Sequence, residues 1–144
     1  MKAVIQRVKW ASVQAGNRRA AIGPGLLVLA GLERGDTEDV CEWAAAKIAG
    51  LRVFEDAEGK MNLGLSDMDG EILVISQFTL AGSIARGRRP SFDDAMRPEE
   101  ARILFERFAA RLQAHHSRTQ VGFFQEAMAV ELLNDGPVTF ILER

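Results

Sequence analysis

EILVISQFTL (residues 71–80) carries the strongest strand signal in the chain. The segment is rich in branched aliphatic residues, which pack well on a pleated surface. A second continuous apolar run, LLVLAGL (26–32), has the length and composition of another buried strand. These two runs predict a protein that is built around buried β-structure.

Shorter strand signals precede and follow these two runs. AVIQRV (3–8) and SVQAG (12–16) are predicted to pair as a hairpin, and a short strand is predicted over 20–22. The remaining predicted strands lie at 51–54, 119–124, 127–133 and 137–142, and the predicted loops lie at 55–70 and 81–96.

Two helices are predicted between the strands. Asp36 is the expected N-cap of the first helix, and Gly50 is its expected end. The second helix begins at Pro98 and has an apolar stripe formed by Ala101, Leu104, Phe105, Phe108 and Leu112. His115 and His116 fall in its last turn, where cations suit the helix dipole, so we expect surface or capping histidines there.

This order of elements indicates the fold class. Two helices cannot cover both faces of a sheet of so many strands, so we expect both helices on one face and further strands packed on the other. The predicted architecture is an α/β fold with three layers. Its mixed sheet, with the further strands packed on it, is barrel-like. A length of 144 residues favours one domain, spanning residues 1–144.

Composition excludes several classes of protein. The formal net charge of −2 argues against a general polyanion binder, so any contact with nucleic acid must be local. Cys41 is the only cysteine, which rules out an internal disulfide and suggests a reducing compartment. No apolar run is long enough for a signal peptide or a membrane span, so we expect neither, and the lack of a zinc-ligand motif leads us to expect no metal.

Polar residues close the strand predicted at 71–80. Ser76, Gln77 and Thr79 lie where the chain must turn into a loop, which is where open α/β sheets place ligand sites, although they could equally just end the strand. Backbone N–H groups there could form an oxyanion hole, in which one donor contributes about 2.7–4 kcal/mol. A nucleophilic Ser76 or Thr79 is the alternative, but it requires a nearby base.

ARGRRP (85–90) places Arg86, Arg88 and Arg89 within four residues. Guanidinium groups match phosphate oxygens in geometry, and the intervening glycine would allow close approach to a sugar-phosphate backbone. A solvated surface loop would have the same composition. The sequence has no P-loop and no dinucleotide-binding glycine motif.

NDGPVTF (134–140) places a Gly-Pro step beside a predicted strand. Proline has no N–H for a sheet ladder, and the bond before it is the one peptide bond with ready access to cis. A cis bond would point two successive carbonyls to the same side, where they could hold an ammonium group. A tight turn is the other interpretation.

Considered together, SQFTL (76–80) and NDGPVT (134–139) resemble two signature motifs of the D-aminoacyl-tRNA deacylases. MKAVIQRV (1–8), KMNL (60–63) and GRRPSF (87–92) are similar to further segments of that family. The resemblance runs over essentially the whole chain, with no additional domain.

The resemblance implies an enzyme that hydrolyses the ester between a D-amino acid and the terminal adenosine of tRNA. It implies a cytoplasmic homodimer that uses no cofactor, no metal, no membrane and no DNA, and in which the cis Gly136–Pro137 step enters the pocket of the other subunit. The L-isomer would then collide with the Gly-Pro carbonyls. Glycine has no Cβ, so mischarged glycyl-tRNA would also be cleaved.

Roles for individual residues follow from the resemblance. Thr79 and neighbouring N–H groups would face the ester carbonyl, Gln77 would hold the terminal adenosine, and the substrate's own 2′-hydroxyl would assist. Phe78 would pack against that pocket, Arg7 would brace the Gly-Pro loop, and Met128 would contact the adenine. Arg86, Arg88 and Arg89 would contact the tRNA.

Phe78 also bears on the branch of the family. A related branch has a trans Gly-Pro and alters the first motif, whereas SQFTL matches the D-specific branch. Two alternatives to the whole assignment stay open. One is a non-catalytic dimer that binds tRNA, and the other is a hydrolase with Thr79 or Ser76 as its nucleophile.

Overall fold

The computed structural model describes residues 1–144. The helices are α1 (Glu38–Ala49) and α2 (Pro98–His115), with short 3₁₀ helices at Leu65–Asp67 and Phe78–Ala81. The strands are β1 (Lys2–Ala15), β2 (Arg18–Ile22), β3 (Gly25–Gly31), β4 (Arg52–Glu55), β5 (Met61–Gly64), β6 (Glu71–Ser76), β7 (Thr119–Val121) and β8 (Ala129–Glu143).

One mixed sheet contains six of the strands, in the order β2-β1-β3-β6-β7, and β8 pairs with β1. The pairs β3–β6 and β6–β7 are parallel, and the pairs that involve β1 are antiparallel. β4 and β5 form a separate two-stranded sheet. The two strongest strand signals of the sequence therefore lie side by side at the centre of the main sheet.

The core divides into two clusters because side chains alternate along the central strands. On β6, Ile72 and Val74 face the helices, whereas Leu73 and Ile75 face the opposite side. On β1, Ile5 belongs to the helix-side cluster and Val13 to the other. Residues of β2 and β8 cover this second side, so the sheet curls over itself. The predicted fold, with helices on one face and strands on the other, is confirmed.

The two helices form where the sequence places their apolar stripes. α2 begins with Pro98 at its first position, and its predicted stripe packs against the helix-side core. α1 packs its own buried face on the same core and ends before Gly50. Its N-cap is Thr37 and not Asp36, whose carboxylate instead accepts the N–H of Glu33 at 2.7 Å. Neither helix combines the length and the apolar composition of a membrane span.

Two strand predictions at the ends of the chain were wrong. Residues 3–8 and 12–16 do not form a hairpin but lie in the single strand β1, because the intervening residues include no turn former. The turn comes at Gly16, with φ +59°, and pairs β1 with β2. Similarly, the strands predicted at 127–133 and 137–142 are one strand, β8, which pairs with β1 over most of its length.

Three other boundaries also differ from the prediction. The strand at 71–80 stops at Ser76, and the chain continues as a 3₁₀ helix. The strand at 119–124 stops at Val121. The loop at 55–70 contains β5 and a 3₁₀ helix, because the extended residues 61–64 pair with β4. Each difference comes from pairing with distant segments, which local propensity does not report.

Candidate active site

A cavity of about 480 Å³ opens at the carboxyl end of β6. Its walls come from the end of β6, the 3₁₀ helix that follows, the first turn of α2 and the connection between β7 and β8. Most of the lining is apolar, and Ser76, Gln77, Gln125 and Glu126 supply polar groups. Such a volume suits a small organic ligand or one nucleoside.

The main chain turns sharply where β6 ends. The N–H of Gln77 still donates to the carbonyl of Ala30 on β3 at 2.7 Å, and the N–H of Leu80 donates to the carbonyl of Gln77 at 3.1 Å. A Cβ on Gly31 would stand 2.8 Å from that Gln77 oxygen, so glycine is required for this close approach. The turn leaves Phe78 and Thr79 as the first residues of a 3₁₀ helix, where the helix itself cannot satisfy their N–H groups.

The side chains of SQFTL point to different surroundings. Ser76, Gln77 and Phe78 line the cavity, whereas Thr79 does not. The amide of Gln77 donates to the Thr79 hydroxyl at 2.6 Å, which ties these two residues together. The Phe78 ring is 59% exposed and packs against Phe92, with the ring centroids 5.3 Å apart.

No base stands beside the Thr79 hydroxyl. Its hydrogen-bond partner is an amide, which cannot accept a proton at neutral pH. His116 contacts the carbonyl of Gly70 and His115 contacts Glu42, at the opposite end of β6. β6 spans about 17 Å at a typical rise of ~3.3 Å per residue, so the histidines are out of reach. Burial raises the pKa of the Cys41 thiol to about 11, so the only cysteine is also a poor nucleophile.

The far wall of the cavity is formed by the connection between β7 and β8. Met128 and Phe124 supply its apolar part. Gly122 donates its N–H to the carbonyl of Val74 at 2.8 Å, which anchors this wall to β6. Gln125 has φ +60° and accepts a hydrogen bond from Arg102 at 3.3 Å, so its position is held from α2.

Gly136 and Pro137 lie in a bulge of β8. Gln6 pairs with Thr139 and Val8 pairs with Asn134, so four residues of β8 stand opposite the single residue Arg7. The Gly136–Pro137 bond is cis, and both residues are exposed. A Cβ on Gly136 would stand 1.9 Å from the backbone nitrogen of Val138, so no other residue fits here without a shift of the main chain.

Two side chains hold this bulge. Arg7 is 5% exposed and donates to the carbonyl of Asp135 at 2.8 Å and to that of Val53 at 2.7 Å. Asn134 closes the bulge from inside: its amide donates to the carbonyl of Val138 at 3.1 Å, and its oxygen accepts the N–H of Val138 at 3.2 Å. The exposed step is therefore fixed from the buried side of the sheet.

Within one chain, the cavity and the Gly136–Pro137 step lie apart. Val130 lines the cavity, and Asn134 lies four residues further along β8, or about 13 Å at ~3.3 Å per residue. The bulge begins only beyond that point. Ser76, Gln77, Phe78 and Met128 thus share one cavity, whereas Arg7, Gly136 and Pro137 form a separate exposed feature.

The three arginines of ARGRRP lie in a small hairpin beside the cavity. Ser83 and Ser91 exchange backbone hydrogen bonds at 2.8 and 2.9 Å, and Gly87 has φ +71° at the tip. Arg86, Arg88 and Arg89 are exposed, and their side chains make no ion pair or hydrogen bond within the chain. No group of three or more histidine, cysteine, aspartate or glutamate side chains could hold a metal ion.

Sequence reasoning missed several residues that shape these sites. Asn134 was quoted in a motif but given no role, although an Asn side chain that bonds the backbone a few residues on is a known signal of an irregular turn. Phe92 and Phe124 were also missed. Their contacts with Phe78 and with the cavity depend on distant segments, and no local pattern reports them.

Comparison with known proteins identifies the family. The sequence profile described as D-Tyr-tRNA(Tyr) deacylase matches residues 4–143. The D-aminoacyl-tRNA deacylase of Geobacter sulfurreducens is 55% identical, and the alignment covers 99% of this chain and 95% of that protein. That of Pelobacter propionicus is 55% identical, with 100% of both chains covered.

Two solved structures are similar in fold. The c-Myc DNA Unwinding Element Binding Protein superposes with a TM-score of 0.93 at 41% identity, covering 100% of this chain and 99% of that one. A probable eukaryotic D-amino acid tRNA deacylase superposes with a TM-score of 0.84 at 16% identity, covering 98% and 97%, which supports the fold alone.

The family profile and the curated relatives define the class of the protein first, as a hydrolase. More specifically, the chain belongs to the D-Tyr-tRNA(Tyr) deacylase family. The family assignment made from the two motifs is confirmed, and the roles of the individual site residues stay predictions.

Proposed function

We propose that the protein hydrolyses the ester of D-aminoacyl-tRNA to free tRNA and a free D-amino acid, in the cytoplasm, as a homodimer. Membership of the deacylase family supports the reaction. The observation that carries the rest is the separation between the cavity and the exposed Gly136–Pro137 step. The step is exposed and braced by Arg7 and Asn134, and the cavity of the same chain is too distant for the step to reach, so we propose that it enters the cavity of a partner subunit.

The surface around the bulge supports the homodimer. β8 pairs with β1 along one edge and is unpaired along the other. Exposed apolar side chains stand on the same strand, with Leu133 48%, Phe140 42% and Ile141 71% exposed, and Trp10 lies opposite on β1. Large exposed apolar side chains along an unpaired edge strand are typical of a protein interface. We propose that a two-fold contact here delivers each step to the partner's cavity.

The cavity would hold the terminal adenosine and its ester. Phe78, Phe124 and Met128 offer apolar surface for adenine, and the Gln77 amide offers a hydrogen bond. The N–H groups of Phe78 and Thr79 would stabilise the oxyanion that forms when water attacks the ester carbonyl. The bond between that carbon and the ribose oxygen then breaks, and the substrate's 2′-hydroxyl would assist the transfer of the proton to the leaving oxygen.

Selection of the D-isomer would follow from the geometry at the α-carbon. With the ester carbonyl near Thr79 and the α-ammonium group on the partner's Gly136–Pro137 carbonyls, only the hydrogen and the side chain remain to be placed. An L-side chain would point into those carbonyls, whereas a D-side chain would point away. Glycine has no Cβ to exclude, so mischarged glycyl-tRNA would be hydrolysed as well.

Arg7 and the basic hairpin have supporting roles in this proposal. Arg7 would keep the Gly-Pro step rigid, in line with its hydrogen bond to the Asp135 carbonyl. Arg86, Arg88 and Arg89 would contact the tRNA acceptor stem, because their guanidinium groups have no partner within the chain.

Hydrolysis of D-tyrosyl-tRNA and of L-tyrosyl-tRNA by the purified protein tests the proposal. We expect release of D-tyrosine and little release of L-tyrosine under the same conditions. If the protein bound tRNA but released neither amino acid, it would be the non-catalytic tRNA-binding dimer, and the proposed function would be wrong.

A further inference from the structure

Basic side chains are distributed unevenly around the mouth of the cavity. On the wall formed by the β7–β8 connection, Arg18 pairs with Glu126, and Arg102 donates to Gln125. Both guanidinium groups also stack on aromatic rings, those of Phe123 and Phe124. The arginines of this wall are therefore already occupied.

The side of the cavity mouth where α2 begins has an unoccupied arginine. Arg97 is the N-cap residue of α2 and stands between Met96 and Pro98, which both line the cavity. Its side chain is exposed and makes no ion pair or hydrogen bond, although Glu99 and Glu100 follow in the first turn of the helix. Arg97 itself is not part of the lining, but its five donor N–H groups have no partner within the chain and its backbone adjoins two lining residues.

The basic hairpin continues from this side of the mouth. Phe92 ends the hairpin and packs on Phe78 of the cavity, so the hairpin is anchored at the mouth. A Cβ on Gly82 would stand 2.7 Å from the Phe92 ring, so that glycine allows the close packing. The carboxylate of Asp93, which follows the hairpin, accepts a hydrogen bond from the Ser91 hydroxyl at 2.6 Å. It does not pair with any of the hairpin arginines. Arg97 and the three hairpin arginines therefore all carry guanidinium groups without a partner, on segments that adjoin the cavity.

We propose that Arg97 and the hairpin arginines form a phosphate-binding track along which the tRNA enters the cavity. The inference rests on the proposed function, because that function places the terminal adenosine inside. The phosphates that precede this adenosine would then lie at the mouth beside Arg97, which we assign to the single-stranded 3′ end. Arg86, Arg88 and Arg89, further out, would contact the backbone of the acceptor duplex. The occupied wall with Arg18 and Arg102 takes no part.

The salt dependence of binding to uncharged tRNA measures these contacts. The logarithm of the binding constant falls with the logarithm of salt concentration by about 0.7 per single-stranded phosphate contact and about 0.9 per duplex contact. We expect Arg97→Gln to weaken binding about tenfold and to reduce the slope by about 0.7. The triple variant Arg86→Gln, Arg88→Gln, Arg89→Gln should reduce the slope by roughly 2 to 3.

A tRNA that lacks its single-stranded 3′ end separates the two parts of the track. On this truncated tRNA the effect of Arg97→Gln should vanish, and that of the triple variant should persist. Lys47→Gln is the matched control, because Lys47 is exposed, makes no ion pair and lies in the last turn of α1, away from the cavity. Arg97→Lys, which keeps the charge, should retain most of the slope.

Several results would overturn the track. The first is a salt-dependence slope that is unchanged in both arginine variants. The second is an equal loss of tRNA affinity with Lys47→Gln. The third is a loss of affinity with Arg97→Gln that persists on truncated tRNA. Equally tight and equally salt-dependent binding of duplex DNA would indicate a general polyanion surface. Because binding of uncharged tRNA needs no catalysis, these results stand apart from the hydrolysis of D-tyrosyl-tRNA, whose absence would overturn the proposed function alone.

Discussion

The end of β6 and the bulge of β8 are both places where a strand of the sheet becomes irregular, but they are built in opposite ways. At the end of β6 the chain turns into a concave, mostly apolar cavity with walls from four parts of the fold. In β8 the chain bulges outward and exposes Gly136 and Pro137, held from behind by Arg7 and Asn134.

In the proposed function, this difference corresponds to two separate tasks: binding of the terminal adenosine and rejection of the L-isomer. A cavity that accepts the same adenosine on every substrate can be lined with ordinary side chains. A feature that must reject one enantiomer whatever its side chain needs rigid main chain and no side chain of its own. Burial of Arg7 and the hydrogen bonds of Asn134 supply that rigidity. Since one chain keeps the two features apart, the proposed function requires an interface that brings them together.

The largest effect is expected when the bulge is forced to move. Gly136→Ala places a Cβ 1.9 Å from the Val138 nitrogen, so the main chain must shift. A displacement of about 1 Å at a reacting site costs roughly 10²-fold in rate, and we expect hydrolysis of D-tyrosyl-tRNA to fall by about that factor. Initial rates for the D- and L-substrates measure the effect.

Gly64→Ala is the control for this change. Gly64 has φ −95°, and a Cβ there would meet its nearest atoms at 3.5 and 3.6 Å, which is ordinary contact. Full activity in Gly136→Ala would show that the bulge has no part in the reaction.

A smaller effect is expected when the brace of the bulge is removed. Arg7→Met keeps the volume but leaves the carbonyls of Asp135 and Val53 without their donor. An unsatisfied buried acceptor costs about 1–3 kcal/mol, so we expect stability to fall by roughly 2–3 kcal/mol and D-tyrosyl-tRNA hydrolysis to fall about tenfold. Urea unfolding and initial rates give the two values.

Binding of adenosine separates the brace from the cavity. Arg7→Met should leave the adenosine affinity unchanged, because Arg7 does not line the cavity. Arg52→Met is the control, since Arg52 is exposed and bonds only to Asn62; its stability should change by less than about 0.5 kcal/mol. Weaker adenosine binding in Arg7→Met would contradict the separation of the two regions.

The smallest effect is expected at the hydroxyl beside the cavity. Thr79→Ala removes the acceptor of the Gln77 amide but keeps the backbone N–H. We expect a loss of less than about tenfold in kcat for D-tyrosyl-tRNA, measured at saturating substrate. Loss of a true nucleophile costs roughly 10⁴-fold or more, so a fall of that size would support the rival hydrolase with nucleophilic Thr79.

Sequence patterns predicted these two regions unequally. SQFTL was recognised as the polar end of a buried strand, and the cavity does open there. The 3₁₀ helix directly after Ser76 was not predicted, because the strand was expected to continue to residue 80. The early turn depends on a hydrogen bond from Gln77 to Ala30 and on the space left by Gly31. Contacts between segments that are distant in the sequence leave no local signal.

The same limit applies to the bulge of β8. NDGPVTF drew attention to an unusual step, but composition alone could not tell a tight turn from a four-residue bulge. The register of β8 against β1 decides between them, and it places Arg7 opposite the step. Arg97 was overlooked because a lone arginine before Pro98 resembles any exposed residue at the start of a helix.

A heterodimer of two inactive variants tests the central claim most directly. One subunit would carry Gly136→Ala, and the other Ala101→Phe, which fills the cavity from α2. In the tagged, purified heterodimer, the intact cavity of the Gly136→Ala subunit faces the intact Gly-Pro step of the Ala101→Phe subunit. The other site combines the filled cavity with the altered step. The account predicts D-tyrosyl-tRNA hydrolysis at about half the wild-type rate, with both parent homodimers nearly inactive. A heterodimer no more active than its parents would contradict the account, because each site would then be complete within one chain.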